Sequence, residues 1–478
     1  MADHGEGNVD TESSSLKSRR ESRLGNALRV NPTGGSKGFR TSEGGASNGA
    51  HFALVGIIAS FVALSTFIAI KTPAYEANDE PSHVQNIETL VSGHWFGMNS
   101  KCAWTPFGLV QCSGTEAQQA PLYYLILAGW QNVIGLPAHL PYHGEANAPF
   151  GLPRQFFLHH SAADLRFLLW LRIPSVIFGA LTVLFTFFAV RLITSNPWTP
   201  VLSASFVAFL PRFVFLSAFV TNDNLANLLG AILVFLALKF TRAPTGWRMA
   251  AVGAVLGLLV TTKLSALPLA VVLVALPSLV PGWKRRTELF GVGLLAAVGV
   301  SGWYLIQNTV RYGDPLASTA STRYLAQVGG LGTYVGLPYK VEHPLTLVFV
   351  EVPRRVINAF WYQSGWNQFH WAWPVNLLFW LVLTAALTGL IHRGIDRGVI
   401  VALTTIAIAG FLSVWILAFQ TATYEPRYAL VGVAAIAALA SLGSERWRLS
   451  VRLLLPAMGL CGTLIAIQGN VLAVHWSS

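Results

Sequence analysis

The sequence predicts an all-α polytopic membrane protein of about eleven transmembrane helices, with about nine to thirteen as the range. Three observations carry this. Of 478 residues, 53% are hydrophobic and only 11% are charged, whereas a soluble domain carries about 25% charged residues. Aromatic residues reach 12%, with 16 Trp and 28 Phe, as expected where rings anchor spans at the headgroup level. The basic residues fall between apolar runs, in alternate connections. That placement also accounts for the formal charge of +11 by topology, so no nucleic-acid partner is inferred from it.

In chain order, residues 1–50 read as a disordered cytoplasmic tail. They are rich in Ser, Gly, Asn and charge and hold too little apolar surface to offset their ordering entropy. No apolar core precedes a small-residue cleavage site there, so the stretch is not a signal peptide. Its basic residues favour a topogenic tail over one that binds lipid or RNA. The transmembrane part is residues 51–478, with spans expected at 52–70, 166–193, 200–219, 224–240, 249–261, 265–281, 288–306, 374–391, 398–419, 428–443 and 453–474. Residues 121–135, "PLYYLILAGWQNVIG", read as a further span or an interfacial helix. With the N-terminus inside, the short inside connections hold Lys239/Arg242/Arg248, Lys284/Arg285/Arg286, Arg393/Arg397 and Arg446/Arg448/Arg452, as the positive-inside rule requires. The long connections 71–164 and 307–373, the "VTNDN" and "TTKLS" turns and "YEPRY" then emerge together on the outer face.

Cys102 and Cys112 lie in the first outer loop, where oxidation is permitted; a disulfide and two free thiols remain alternatives. Cys461, inside the last span, reads as an apolar filler.

Charges beside apolar runs are the candidate chemistry. "AYEANDEPSHVQNIETLVSG" (74–93) sets Asp79 and Glu80 at the lip of the first span, with His83 one turn on. Carboxylates there serve to deprotonate a hydroxyl, to hold a metal, or to cap the helix that starts near Pro81. Glu116 precedes the aromatic helix, and Asp223 sits between two spans; for each, a helix-start acid is the plainer alternative. Arg172, Lys263, Arg311 and Arg427 bracket the same face. Each alone reads as an interfacial anchor, but as a set they suit a lipid phosphate. Tyr428, beside Arg427, belongs with them. The stretch "NAFWYQSGWNQFHWAWP" (358–374), with Trp366 at its centre, suits sugar stacking and an aromatic belt almost equally. His343 and His370 show no metal-ligand spacing, so no metal or other cofactor is expected, without a divalent ion being excluded.

The order of these motifs resembles the membrane-embedded GT-C glycosyltransferases, in particular protein O-mannosyltransferases, lipid A aminoarabinose transferases and their bacterial relatives. The series runs "NDEPSHVQNIETLVSGHW", "EAQQAPLYYLILAGW", "LRIPSVIFGALTVLFTFFAVRL", "NDNLANLLGAILVFLAL", "GLLVTTKLSALPLA", "WYLIQNTVRYGDPL" and "EPRYAL". It covers most of the chain after residue 52. "FWYQSGWN" stands where a related bacterial subgroup has Phe-Gly-Trp, and Gln307 stands where that subgroup has Arg. The resemblance implies a polyprenyl-phosphate sugar donor, a lipid, glycan or protein acceptor arriving at the outer face of the cell membrane, and Asp79 as the catalytic carboxylate. Glu80 or Glu116 would orient it, and Arg427, Lys263, Arg311 and Arg172 would face the donor phosphate. Two other classes compete. A transporter or flippase of lipid-linked sugars would carry polar residues at mid-depth and related halves, and a non-catalytic assembly protein would use the acids as caps and the cations as anchors.

Overall fold

A computed structural model describes residues 40–75, 77, 79–98, 103–104, 110–111, 117–138, 162–328, 343–364, 369–392, 394–421, 425–448 and 452–468. By contacts the chain divides into Met1–Asn48 and Gly49–Ser478. The first unit is described only from Arg40, where helix α1 (Arg40–Lys71) begins, inside the stretch read from sequence as a tail. Once a span has nucleated a helix, adding turns to its end costs little.

The second unit is helical. It comprises α2 (Glu80–Val91), α3 (Leu122–Val133), α4 (Ala162–Arg191), α5 (Trp198–Ala208), α6 (Pro211–Ser217), α7 (Asp223–Arg242), α8 (Gly246–Thr262), α9 (Val272–Ser278), α10 (Trp283–Tyr312), α11 (Ser318–Val328), α12 (Val352–Ala359), α13 (Trp373–Thr388), α14 (Arg397–Thr421), α15 (Val433–Ser444) and α16 (Leu454–Ala466). Two antiparallel two-stranded ribbons complete it: Ala103–Trp104 with Val110–Gln111, and Gln363–Ser364 with Phe369–His370.

Every span expected from sequence corresponds to an apolar helical segment, and among the described residues seven helices are long and apolar enough to cross a membrane. Helices α5 and α6 are apolar enough together but bent by 65°, at Pro211, which cannot continue a helix. Three expected spans are short: α8, the segment Leu264–Ser278, and α16. Lys263 separates the first two of these in extended backbone, and a 3-10 stretch with Pro268 follows it. The seven spans make the chain a multi-pass membrane protein. The helix of residues 121–135 is α3, twelve residues long and so too short to span.

The segment Pro426–Ser444 sits at the centre, with all of its apolar stretch buried by neighbours, against 22% for the lipid-facing α10. Its first turn is 3-10 helix, Pro426–Gly432. Close approach seats it: a Cβ added to Gly230 on α7 would lie 2.0 Å from the carbonyl oxygen of Val431, so only glycine fits there. The irregular stretch at Arg427 is buried throughout, and Lys263 is itself buried; broken helix at membrane depth is tolerated where it is buried in protein or lines a water-filled cavity.

Candidate active site

Asp79 and Glu80 are adjacent in sequence but are used differently. Asp79 occupies the N-cap position of α2 with φ 64°, and its side chain makes no capping hydrogen bond. A left-handed Asp is tolerable but uncommon, and such strain gathers at functional sites. Its carboxylate, 20% exposed, instead pairs with the guanidinium of Arg427. Arg427 Nε stands 3.7 Å from Asp223 Oδ2. Asp223 opens α7 and pairs through Oδ1 with Lys263 Nζ at 2.6 Å. Lys263 also donates to Asn222 Oδ1 at 3.1 Å and lies over the Tyr428 ring, 4.6 Å from its centroid. Asp79, Arg427, Asp223 and Lys263 thus form one run of alternating charge, drawn from four separate parts of the chain. Tyr428 covers it, since Arg427 also lies over that ring at 5.4 Å.

Glu80 is fully buried and accepts from Arg172 Nε at 2.9 Å, from Arg172 Nη2 at 2.6 Å and from the Val220 amide at 3.0 Å. The remaining Arg172 donors go to the carbonyls of Ala69, Thr72 and Pro73. A guanidinium has five N–H groups, so Arg172 has none left for a lipid phosphate, which corrects the expectation for it. Glu80, with both oxygens occupied and no exposure, is likewise closed to an acceptor. The pair braces α2 and the end of α1 against α4.

His83 is buried, with its Nδ1 2.7 Å from the Tyr124 hydroxyl. Burial, then the nearby charges of Lys263 and Arg427, holds the imidazole well below its ordinary value of 6.5, so it is neutral at pH 7. Tyr124 packs edge-on against Phe96 at 5.2 Å.

Phe96 leads into a cleft. Its walls are Trp95, Phe96, Gln118 and Gln119 on one side and Tyr304, Gln307, Asn308, Arg311 and Tyr312 from the end of α10 on the other. The cleft is narrow, with a cavity volume of about 20 Å³, and is partly open to solvent. Gln119 Oε1 accepts from Asn222 Nδ2 at 2.9 Å, so the cleft adjoins the charged run through Asn222. Arg311 lies over the Trp95 ring at 5.7 Å. Among the described residues its guanidinium has no carboxylate partner and no hydrogen bond, unlike the other three predicted cations, and the Gln307 amide is also uncommitted.

Sequence reasoning missed a second cluster. Glu425 accepts from Arg212 at 3.2 Å and from Arg355 at 3.0 Å. Arg212, buried on α6, also donates to Gln363 Oε1 at 2.8 Å and to the Ala359 carbonyl. Burial alone would raise the Glu425 carboxyl, but Arg355 and Arg212 outweigh it and hold it below the usual range. Two signals were present: Arg212 is a lone cation inside an apolar run, and Glu425 opens the quoted "EPRYAL".

The described Trp-rich residues are divided: Trp361 belongs to the core, whereas Trp373 is 64% exposed. Trp361 is 1% exposed and packs on Phe360, Phe379 and Trp380, while Trp371 stacks on Phe379. Glu116, Trp366, Cys102 and Cys112 lie outside the described residues. Cys461 is a free, exposed thiol on α16, so it fills no gap in the core. Among the described residues no three His, Cys, Asp or Glu side chains gather as for a metal ion.

No family model and no curated protein matches the chain. Among solved structures it is similar to ArnT from Cupriavidus metallidurans bound to undecaprenyl phosphate, with 14% identity, a TM-score of 0.48, and coverage of 88% of this chain and 64% of that one. It is also similar to the apo oligosaccharyltransferase of Archaeoglobus fulgidus, with 16% identity, a TM-score of 0.45, and coverage of 88% and 55%. Both are GT-C glycosyltransferases, the family that the motif series resembles. The chain spans less than two thirds of the length of either.

Proposed function

We propose that the chain transfers a sugar from a polyprenyl-phosphate donor to an acceptor hydroxyl at the outer face of the membrane, with Asp79 as general base. One observation carries this reading. A partly exposed carboxylate and an uncommitted cation sit at opposite ends of a single linked run: Asp79, Arg427, Asp223, Lys263, Asn222, Gln119 and then the Arg311 cleft. Glycosyl transfer needs that pair, a base for the incoming hydroxyl and a positive partner for the departing phosphate.

In this mechanism the acceptor hydroxyl gives its proton to Asp79 as its oxygen attacks the anomeric carbon. The carbon–phosphate oxygen bond breaks on the opposite side, so the anomeric centre inverts, and the electron pair leaves on the polyprenyl phosphate. Arg311 meets that developing charge, with Gln307 as a neutral donor where the related subgroup has Arg. Arg427, rather than Glu80, pairs with the Asp79 carboxylate and aims it. Lys263 spends two of its three donors on Asp223 and Asn222, so its part is to fix Asp223 and, through it, Arg427. General-base action supplies roughly 100- to 10,000-fold, and holding donor and acceptor together supplies about 7–11 kcal/mol of the barrier.

Washed membranes carrying the protein, incubated with radiolabelled polyprenyl-phosphate sugars, test the reading. Label moving from the lipid to a new covalent product supports it. Label that crosses the bilayer while still on its lipid points to a transporter instead, and label that neither moves nor crosses points to the assembly role.

A further inference from the structure

The Arg427 side chain, on which the proposed chemistry depends, is poorly fixed by its own hydrogen bonds. Its Nε is buried without a hydrogen-bond partner, and Asp223 stands 3.7 Å away. Its direction must therefore come from the backbone and from surrounding charge. Two residues earlier stands Glu425, the nearest carboxylate in sequence and a natural competitor with Asp79 for the same guanidinium. Glu425 is directed to two other cations instead: its Oε1 accepts from Arg355 on α12 and its Oε2 from Arg212 on α6. Pro426 lies between Glu425 and Arg427 and fixes φ there. Anchoring Glu425 thus anchors the start of the central span.

We infer that Glu425, clamped between Arg212 and Arg355, is a positioning residue that sets Arg427 against Asp79 and ties that pair to the second long connection. The inference rests on the proposed role of Asp79. The clamp is built from three segments: the bend at α6, helix α12, and the entry to Pro426–Ser444, which also carries Arg427. Arg355 is its accessible end, with a side chain 33% exposed, whereas Arg212 is 2% exposed.

The test reads Arg427 directly, with or without activity. In the full-length protein carrying Asp79→Cys, the rate at which a neutral alkylating reagent modifies that thiol at pH 7, resolved by peptide mass spectrometry, reports a neighbouring guanidinium. A cation beside a thiol lowers its pKa and raises its thiolate fraction, by roughly tenfold per unit. Adding Arg427→Gln calibrates the loss. Adding Arg355→Gln, at the half-exposed end of the clamp, should slow alkylation by about half of that factor or more on a logarithmic scale, and Glu425→Gln should slow it nearly as much as Arg427→Gln. In the otherwise native protein, Arg355→Gln should lower kcat severalfold with donor KM unchanged, a split that mere loss of folded protein does not produce. Alkylation rates within twofold of the Asp79→Cys parent for both clamp variants, while Arg427→Gln slows it, would overturn the inference. So would an Arg427→Gln control that changes nothing. A protein that alkylates as expected but transfers no sugar keeps the clamp and loses only the enzymatic reading.

Discussion

Two neighbouring carboxylates, each facing an arginine far along the chain, end in opposite situations. Glu80 and Arg172 are sealed, with side chains 0% and 1% exposed and all five guanidinium donors matched to acceptors. Asp79 and Arg427 are left incomplete: the carboxylate is 20% exposed, its backbone is left-handed, and the arginine retains an unpartnered buried Nε. The same pair of chemical groups is therefore closed in one case and left with access in the other, as the proposed role of Asp79 requires. What separates them is completeness of hydrogen bonding. A buried ion pair tolerates no loss when every donor is spent, whereas a pair with spare capacity and access can exchange a partner for substrate.

The strongest way to break that comparison is to open the brace. Arg172→Ala leaves Glu80 buried without its cation, which costs about 3–5 kcal/mol. The expected outcome is a large drop in folded yield and thermal midpoint in detergent, with activity lost as a consequence of misfolding. A well-folded Arg172→Ala protein that failed only to use the donor would restore Arg172 to the phosphate site. Arg311→Ala should act in the opposite sense, leaving the thermal midpoint unchanged within a degree or two. Loss of a charge-assisted contact is worth about 1.5–3 kcal/mol, so donor KM should rise by one to two orders of magnitude while acceptor KM holds. An effect confined to the acceptor would place the phosphate elsewhere.

His83 sharpens the contrast more gently. Its folded-state pKa lies below the ordinary 6.5, so the unfolded chain binds a proton more readily than the folded one. The stability it contributes is complete above pH 6.5 and is lost as pH falls through the folded-state value. Thermal midpoints measured between pH 7.5 and pH 5 should decline, and His83→Gln should flatten that decline. An unchanged slope in the variant would mean that the imidazole is not held neutral by its surroundings.

The fold was legible where apolar runs are long. The spans at 52–70, 166–193 and 224–240 each have a counterpart among the seven long helices. Length alone misleads at 200–219, where Pro211 interrupts a run whose hydropathy looks continuous; the break at Lys263 was read from sequence, but the segments on either side of it, 249–261 and 265–281, are short. A hydropathy reading averages over a single helix-breaking residue that geometry cannot ignore. The candidate site was legible only as a set of lone charges beside apolar runs, of which Asp79, Asp223, Lys263 and Arg427 meet. Pairing was not legible. Burial adjacent to a span predicts that a charge needs a partner but not which one, so Arg172 read as a ligand of phosphate when its partner is Glu80. Glu425 and Arg212 passed unnoticed for the related reason that neither looks catalytic alone. Their interest comes from who stands between them and Arg427.

The central claim is that Asp79, and not the equally acidic residue beside it, carries the proton in transfer. Purified Asp79→Asn protein, assayed for initial transfer rate from a radiolabelled polyprenyl-phosphate sugar, tests this most directly, with thermal midpoint and donor binding measured on the same preparation. The account predicts a midpoint and donor affinity close to the wild type and a rate reduced by roughly 100- to 10,000-fold. A rate within a few-fold of wild type in that folded, donor-binding protein would contradict it.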